Sequence, residues 1–268
     1  MKKGYYLSLG LLFMLTVFLN FNGKAQLSIT TSGTNYTINF DATVDGVNNG
    51  QYAGTGFEPT PASGRLDSDA WATGGLDPLN LNFGETQITS PSDFGRGASN
   101  GGISDGGFWS FQVATGDKAL GIQPTGNDWT PGTITFRVIN NTGEDLTSIS
   151  ISYNIYVRND GGRSNLFNFS YSSDNGAYIS VPELNDTSAI AADASPAWIA
   201  HPKSTTITGI SLTNGSYFYF RWTGNDVGGS GTRDEFALND IVVNVTAGAS
   251  VSNPSGFDAS PFSSSQNN

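Results

Sequence analysis

The chain has 268 residues, with 12 basic groups against 23 acidic ones, no cysteine and a single histidine. That composition excludes disulfide crosslinks and the usual zinc centres, which need several Cys and His ligands. A net charge of −11 makes nucleic acid and anionic membrane poor partners.

The first 25 residues have the layout of a secretory signal. Lys2 and Lys3 give a basic start, residues 5–19 are apolar, and Gly23-Lys24-Ala25 offers small residues at the cleavage positions. The apolar stretch is about 15 residues, short of the roughly 20 needed to cross a bilayer. Cleavage after Ala25 is therefore expected, giving a secreted or cell-surface protein with no membrane association. Losing Lys2, Lys3 and Lys24 takes the net charge from −11 to −14. Met1 and Met14 lie in the same segment, so the remaining chain carries no sulfur. About 220 residues must then be held by an apolar core, ample length for one domain.

From Gln26 onward, short runs of Ile, Val, Phe and Tyr are punctuated by Gly, Asn, Asp and Ser, and no window shows helical spacing. The chain is expected to be all-β. Strands are predicted at 36–41, 108–114, 119–123, 133–140, 146–158, 167–172, 178–181, 204–212, 217–223 and 236–245. Ser150-Ile151-Ser152-Tyr153-Asn154-Ile155 alternates polar and apolar residues with period two, as does Tyr217-Phe218-Tyr219-Phe220 in aromatic form. Each such strand lays one face on a core. Ten strands fit a two-sheet antiparallel β-sandwich over 26–247. Residues 42–107 are rich in Gly, Pro, Asp and Ser, yet hold aromatics that true linkers lack, so they read as long ordered loops at one end.

The search for chemistry removes more than it adds. His201, the lone histidine, precedes a proline, and no glycine-flanked nucleophile accompanies it, so a serine triad is not supported. Phosphate loops and dinucleotide fingerprints are absent. Carboxylates are plentiful, but glutamates number five and read as solvated or structural. The domain is expected to be non-catalytic, with a hydrolase or nuclease domain elsewhere in a longer protein as the alternative. Structural calcium suits irregular acidic loops. Its candidate ligands are Asp41, near the first strand's end, with Asp234 and Asp240 around the last strand, since first and last strands of a sandwich often neighbour one another. For a glycan, the candidates are Trp71 and Trp129 in polar loops, Trp222 with Arg221 in an aromatic strand, and Asp226. An exposed ring stacks on the apolar face of a sugar while Arg and Asp bond its hydroxyls.

Several further stretches carry a resemblance. Residues 36–41 (Tyr-Thr-Ile-Asn-Phe-Asp), 121–126 with 130–133, 153–160, 221–226 and the closing 233–241 (Arg-Asp-Glu-Phe-Ala-Leu-Asn-Asp-Ile) resemble an N-terminal module of large secreted bacterial proteins. In such proteins a sorting domain for export lies at the C-terminus. More distantly, the opening Phe40-Asp41 and closing Ala237-Leu238-Asn239-Asp240-Ile241 are similar to jelly-roll adhesion modules of the meprin, neuropilin and receptor phosphatase type, with Asn239 where that pattern has aspartate. Pro254-Ser255-Gly256-Phe257-Asp258-Ala259 resembles the opening strand of a fibronectin type III domain, which makes 248–268 either a disordered linker or the truncated start of such a domain. The resemblance implies a jelly-roll-like sandwich serving adhesion or carbohydrate binding, with downstream domains as its covalent partners.

Overall fold

The computed structural model describes residues 26–77, 79–88 and 93–248. The expected signal peptide and the fibronectin-like tail from Ala249 lie outside the described residues. Strands follow one another in the order β1 (Leu27–Ile29), β2 (Tyr36–Ile38), β3 (Asn48–Asn49), β4 (Phe57–Glu58), β5 (Arg65–Asp67), β6 (Trp71–Gly74), β7 (Ala98–Ser99), β8 (Gly107–Ala114) and β9 (Asp117–Gln123). The longer ones come next: β10 (Gly132–Asn140), β11 (Leu146–Arg158), β12 (Arg163–Ser172), β13 (Ile179–Ser180), β14 (Asp186–Thr187), β15 (Trp198–Leu212), β16 (Tyr217–Gly229) and β17 (Glu235–Ala247).

They form two seven-stranded sheets and a small third one. The first runs β1-β10-β16-β12-β13, with β6 also on β10 and β14 on β12; the second runs β15-β11-β17-β9-β8-β7, with β2 also on β17. Strands β10, β12 and β16 of the first sheet alternate along the chain with β11, β15 and β17 of the second, so successive connections cross between layers. This is the wrapped, jelly-roll-like β-sandwich the sequence predicts. Pairing is antiparallel through the body of both sheets, and the short pairs β1–β10, β7–β8 and β4–β5 are parallel.

Period-two alternation places the core. Ile149, Ile151, Tyr153, Ile155 and Val157 of β11 face inward, as do Phe218, Phe220 and Trp222 of β16, all buried. Strand β2, the first one the sequence predicts, does neighbour the last: Ile38 pairs with Ile241, and Tyr36 with Val243, while the earlier β1 pairs with β10. The loop-rich region is more structured than its composition suggests. It contributes the sheet β3-β5-β4 and strand β6, and it sends Val47, Tyr52, Phe57, Leu66, Trp71 and Phe94 into the main core.

Candidate aromatic site on the second sheet

Three of the four aromatic and acidic ligand candidates do not reach solvent as a sugar platform requires. Trp71, Trp129 and Trp222 are fully buried. Trp71 stacks on Phe136 at 4.6 Å, on the inner side of a strand rather than in a loop. Trp129 rolls inward over Gly132 and Gly224, whose missing side chains leave room for its ring, and meets Phe108 edge-on. Trp222 lies edge-on against Tyr153 at 5.3 Å. Each indole hides about 200 Å² of apolar surface, on the order of 5 kcal/mol of transfer free energy, and that outweighs the polar sequence around it. Asp226 is already held by Arg233 and Arg163, at 2.6 and 2.9 Å, and the hydrogen bonds from these arginines keep its carboxyl low. Arg221 alone of the five sits on an outward face.

The two remaining tryptophans, Trp109 and Trp198, stay partly exposed, and both stand on the outer face of the second sheet. In β8, Phe108 points to the main core, so Trp109, Phe111 and Val113 point the other way. Beside them lie Ala119 and Gly121 of β9 and Ala237 of β17, in register with Phe111, Trp109 and Gly121 respectively. These small residues make a depression that rings fill. Phe111 lies so squarely over Gly121 that a Cβ there would come within 2.0 Å of its ring. Trp109 stacks on Phe111 with planes 9° apart, and Trp198 meets Phe111 at 4.9 Å with planes tilted by 45°. Tyr156 of β11 and Ile103 complete the cluster.

The segment after β7 fastens this cluster. Asn100 O accepts from Trp198 Nε1 at 2.9 Å, and Asp105 O accepts from Trp109 Nε1 at 3.0 Å. The same segment donates Gly102 and Ile103 N–H to the two carboxylate oxygens of Glu235, at 3.0 and 2.9 Å. Glu235 is fully buried beside Arg158 Nε at 3.4 Å. Burial pushes its carboxyl up to about 7 despite those donors.

A polar rim continues the face. Asn239, opposite Asn154, is fully buried and donates Nδ2 to Asp117 Oδ1 at 2.6 Å. Asn154 Nδ2 donates to Asp240 Oδ2 at 2.9 Å, and Lys118 N–H donates to Asp41 Oδ1 at 2.9 Å. A β-bulge in β17 creates this arrangement: the register steps from Asn154–Asn239 to Ser152–Val242. The extra residue lets Asp240 stay at the outer face while Ile241 returns to the core. Asp240 takes φ +52° there, a left-handed conformation that aspartate tolerates better than branched residues. Burial first, then Asp240 and Asp41, raise the Asp117 carboxyl. Burial raises the Tyr156 hydroxyl too, with Asp117 and Asp240 adding to it. Rings and carboxylates therefore belong to one continuous surface.

The calcium trio is not assembled. Asp41 and Asp240 come together around Asp117, but Asp234 is buried elsewhere, taking the Gly161 N–H at 2.8 Å, and burial, with the Asp160 charge adding, raises its carboxyl. Among the described residues no group of three or more His, Asp or Glu is placed to hold a metal ion. The reason is distance along the chain: Asp234 immediately precedes β17 and lies six residues before Asp240, about 20 Å in an extended strand. His201 hydrogen-bonds Asp186 at 2.8 Å on the edge strand β15.

Sequence reasoning missed this patch. Its available signal was Gly121, a glycine inside a strand, which marks close approach by another group.

No protein-family model matches the chain, and no curated protein matches it. Among solved structures it is similar to a carbohydrate-binding module specific for non-crystalline cellulose, at 13% identity and TM-score 0.37 over 75% of this chain and 97% of that one. It is also similar to the K1 cleaved adhesin domain of Lys-gingipain from Porphyromonas gingivalis W83, at 11% identity and TM-score 0.35 over 81% and 100%. A xylan-binding domain from Paenibacillus barcinonensis aligns at 13% identity and TM-score 0.30 over 56% and 85%.

Proposed function

We propose that this domain is a non-catalytic glycan-binding module of an exported, multidomain protein, and that Trp109, Trp198 and Tyr156 form its platform. The observation that carries this reading is the pair of partly exposed tryptophans packed against Phe111 on one sheet face. Aromatic rings held flat against a sheet offer apolar faces to the C–H side of a pyranose. Asn154, Asp117 and Asp240 beside them supply acceptors and donors for hydroxyls, the mixture of apolar wall and few polar groups that ligand sites use. Backbone carbonyls hold both indole N–H groups, so the rings are oriented before a ligand arrives and little rotamer freedom is lost on binding.

The test is affinity electrophoresis of the full chain against neutral plant, algal and bacterial polysaccharides. Trp109→Ala and Trp198→Ala should each weaken binding at least about tenfold, a loss near 1.4 kcal/mol. Retained binding in both variants removes the platform from the site, and no retardation by any polysaccharide leaves adhesion to a protein surface as the remaining reading.

A further inference from the structure

The opposite face of the sandwich carries a second group of side chains with different chemistry. Arg221 of β16 points outward from the first sheet, in a row between Thr135 of β10 and Ser170 of β12. Its Nε donates to Thr135 Oγ1 at 2.9 Å, and its guanidinium carbon lies 3.6 Å from the centre of the Tyr178 ring. Nη2 makes a long contact of 3.4 Å with Asn175 Oδ1, and Nη1 has no hydrogen-bond partner among the described residues.

Every other arginine among the described residues is ion-paired: Arg65 with Glu58, Arg96 with Asp93, Arg137 with Asp69, Arg158 with Asp160 and Glu235, and both Arg163 and Arg233 with Asp226. In so acidic a chain, one stacked, half-buried guanidinium without a carboxylate stands apart. Asp174, whose charge acts on the stacked Tyr178, is turned to its own loop, accepting from Ser172 Oγ and the Gly176 N–H, both at 2.8 Å.

Arg221 opens into a cavity of about 420 Å³ whose walls include Asn80, Asn82, Thr133, Thr135 and Asn175. That volume is within the range of small-ligand pockets. Amides and hydroxyls around one fixed guanidinium suit a hydroxylated ring that bears an oxyanion. Guanidinium groups pair with planar or tetrahedral oxyanions through two parallel N–H donors.

We propose that this cavity binds the charged substituent of an acidic sugar, a carboxylate or a sulfate ester, with Arg221 as the ion-pair donor and Asn80, Asn82 and Thr133 bonding the ring hydroxyls. The site is separate from the aromatic platform and does not depend on it.

The experiment is calorimetric titration of the full chain with trigalacturonate, a sulfated galactose trisaccharide and the uncharged galactose trisaccharide. At least one acidic trisaccharide should bind, more weakly as salt rises, and at least about tenfold tighter than the uncharged one. Preference between the two acidic probes identifies the oxyanion. Arg221→Met should remove that preference, Arg221→Lys should keep part of it, and Trp109→Ala should leave it intact. Asn82→Ala, on the other wall, should weaken binding of the acidic trisaccharide if Arg221→Met fails to fold. The proposal is overturned if neither acidic probe binds, if folded Arg221→Met binds as the unaltered protein does, or if Trp109→Ala abolishes acidic binding. Loss of neutral polysaccharide binding alone would fall on the platform and leave this site standing.

Discussion

Replacing Glu235 with glutamine tests the electrostatics of the aromatic site directly. The carboxyl is fully buried, and its pKa rises from 4.5 to about 7 because burial outweighs the two amide donors and Arg158. In the unfolded chain the same group ionises near 4.5. Between those values the unfolded chain releases a proton that the folded chain keeps, so stability is highest below the unfolded value, falls as pH rises and levels off above about 7. At about 1.4 kcal/mol per pH unit, this single group removes about 3 kcal/mol across the window. Asp67, raised to about 7, and Asp93, raised to about 6, slope the same way, chiefly through burial. Asp226, lowered by its arginines, slopes the other way. The absolute pH curve therefore mixes several groups, and the difference between the two proteins isolates one. Urea unfolding followed by tryptophan fluorescence at about pH 4 and about pH 8 should show the unaltered protein losing about 3 kcal/mol more than Glu235→Gln. Parallel losses in the two proteins would refute the assignment of a raised carboxyl at this position.

Two other predictions concern the same face. Gly121→Ala places a methyl group where the Phe111 ring now lies, which should cost about 1–3 kcal/mol, lower Tm by about 2–12 °C and alter tryptophan emission; an unchanged Tm and spectrum would mean that Phe111 does not rest on this glycine. Asp41 and Asp240 each accept from a protein donor and Asp234 lies elsewhere, so adding a chelator should leave Tm within about 1 °C, since only an ion bound to the folded state raises its stability. A fall of several degrees would show that these carboxylates rearrange around calcium.

The long strands were legible because each lays one face on the core and keeps strict alternation. Residues 146–158 were predicted and Leu146–Arg158 is the strand observed. Strand Trp198–Leu212 begins six residues before its predicted start, since Ala200, His201 and Pro202 lie on an edge where little is buried and alternation fades. Strands such as Trp71–Gly74 and Leu27–Ile29 are too short to show a period at all. The site was less readable for a different reason. Alternation says which residues share a face, but not which face is the core, so Trp109 and Trp222 look alike until the sheets are assembled. Arg221 was recoverable, because a guanidinium in a run of aromatics has few places to go but outward.

Strand β11 has a consequence for how load passes through the module. Its first residue, Leu146, adjoins Ala247, and Gly248 N–H bonds Asp145 O, so the last described residues lie at that end of the sandwich. Tyr156 stands ten residues along the same strand, about 33 Å away at the usual rise. Under the proposed function, tension between a ligand held there and Gly248 runs parallel to β11 and β17. Inter-strand hydrogen bonds in an antiparallel pair lie across that direction, so they resist together in shear rather than opening one at a time, and the ladder gives way as a unit.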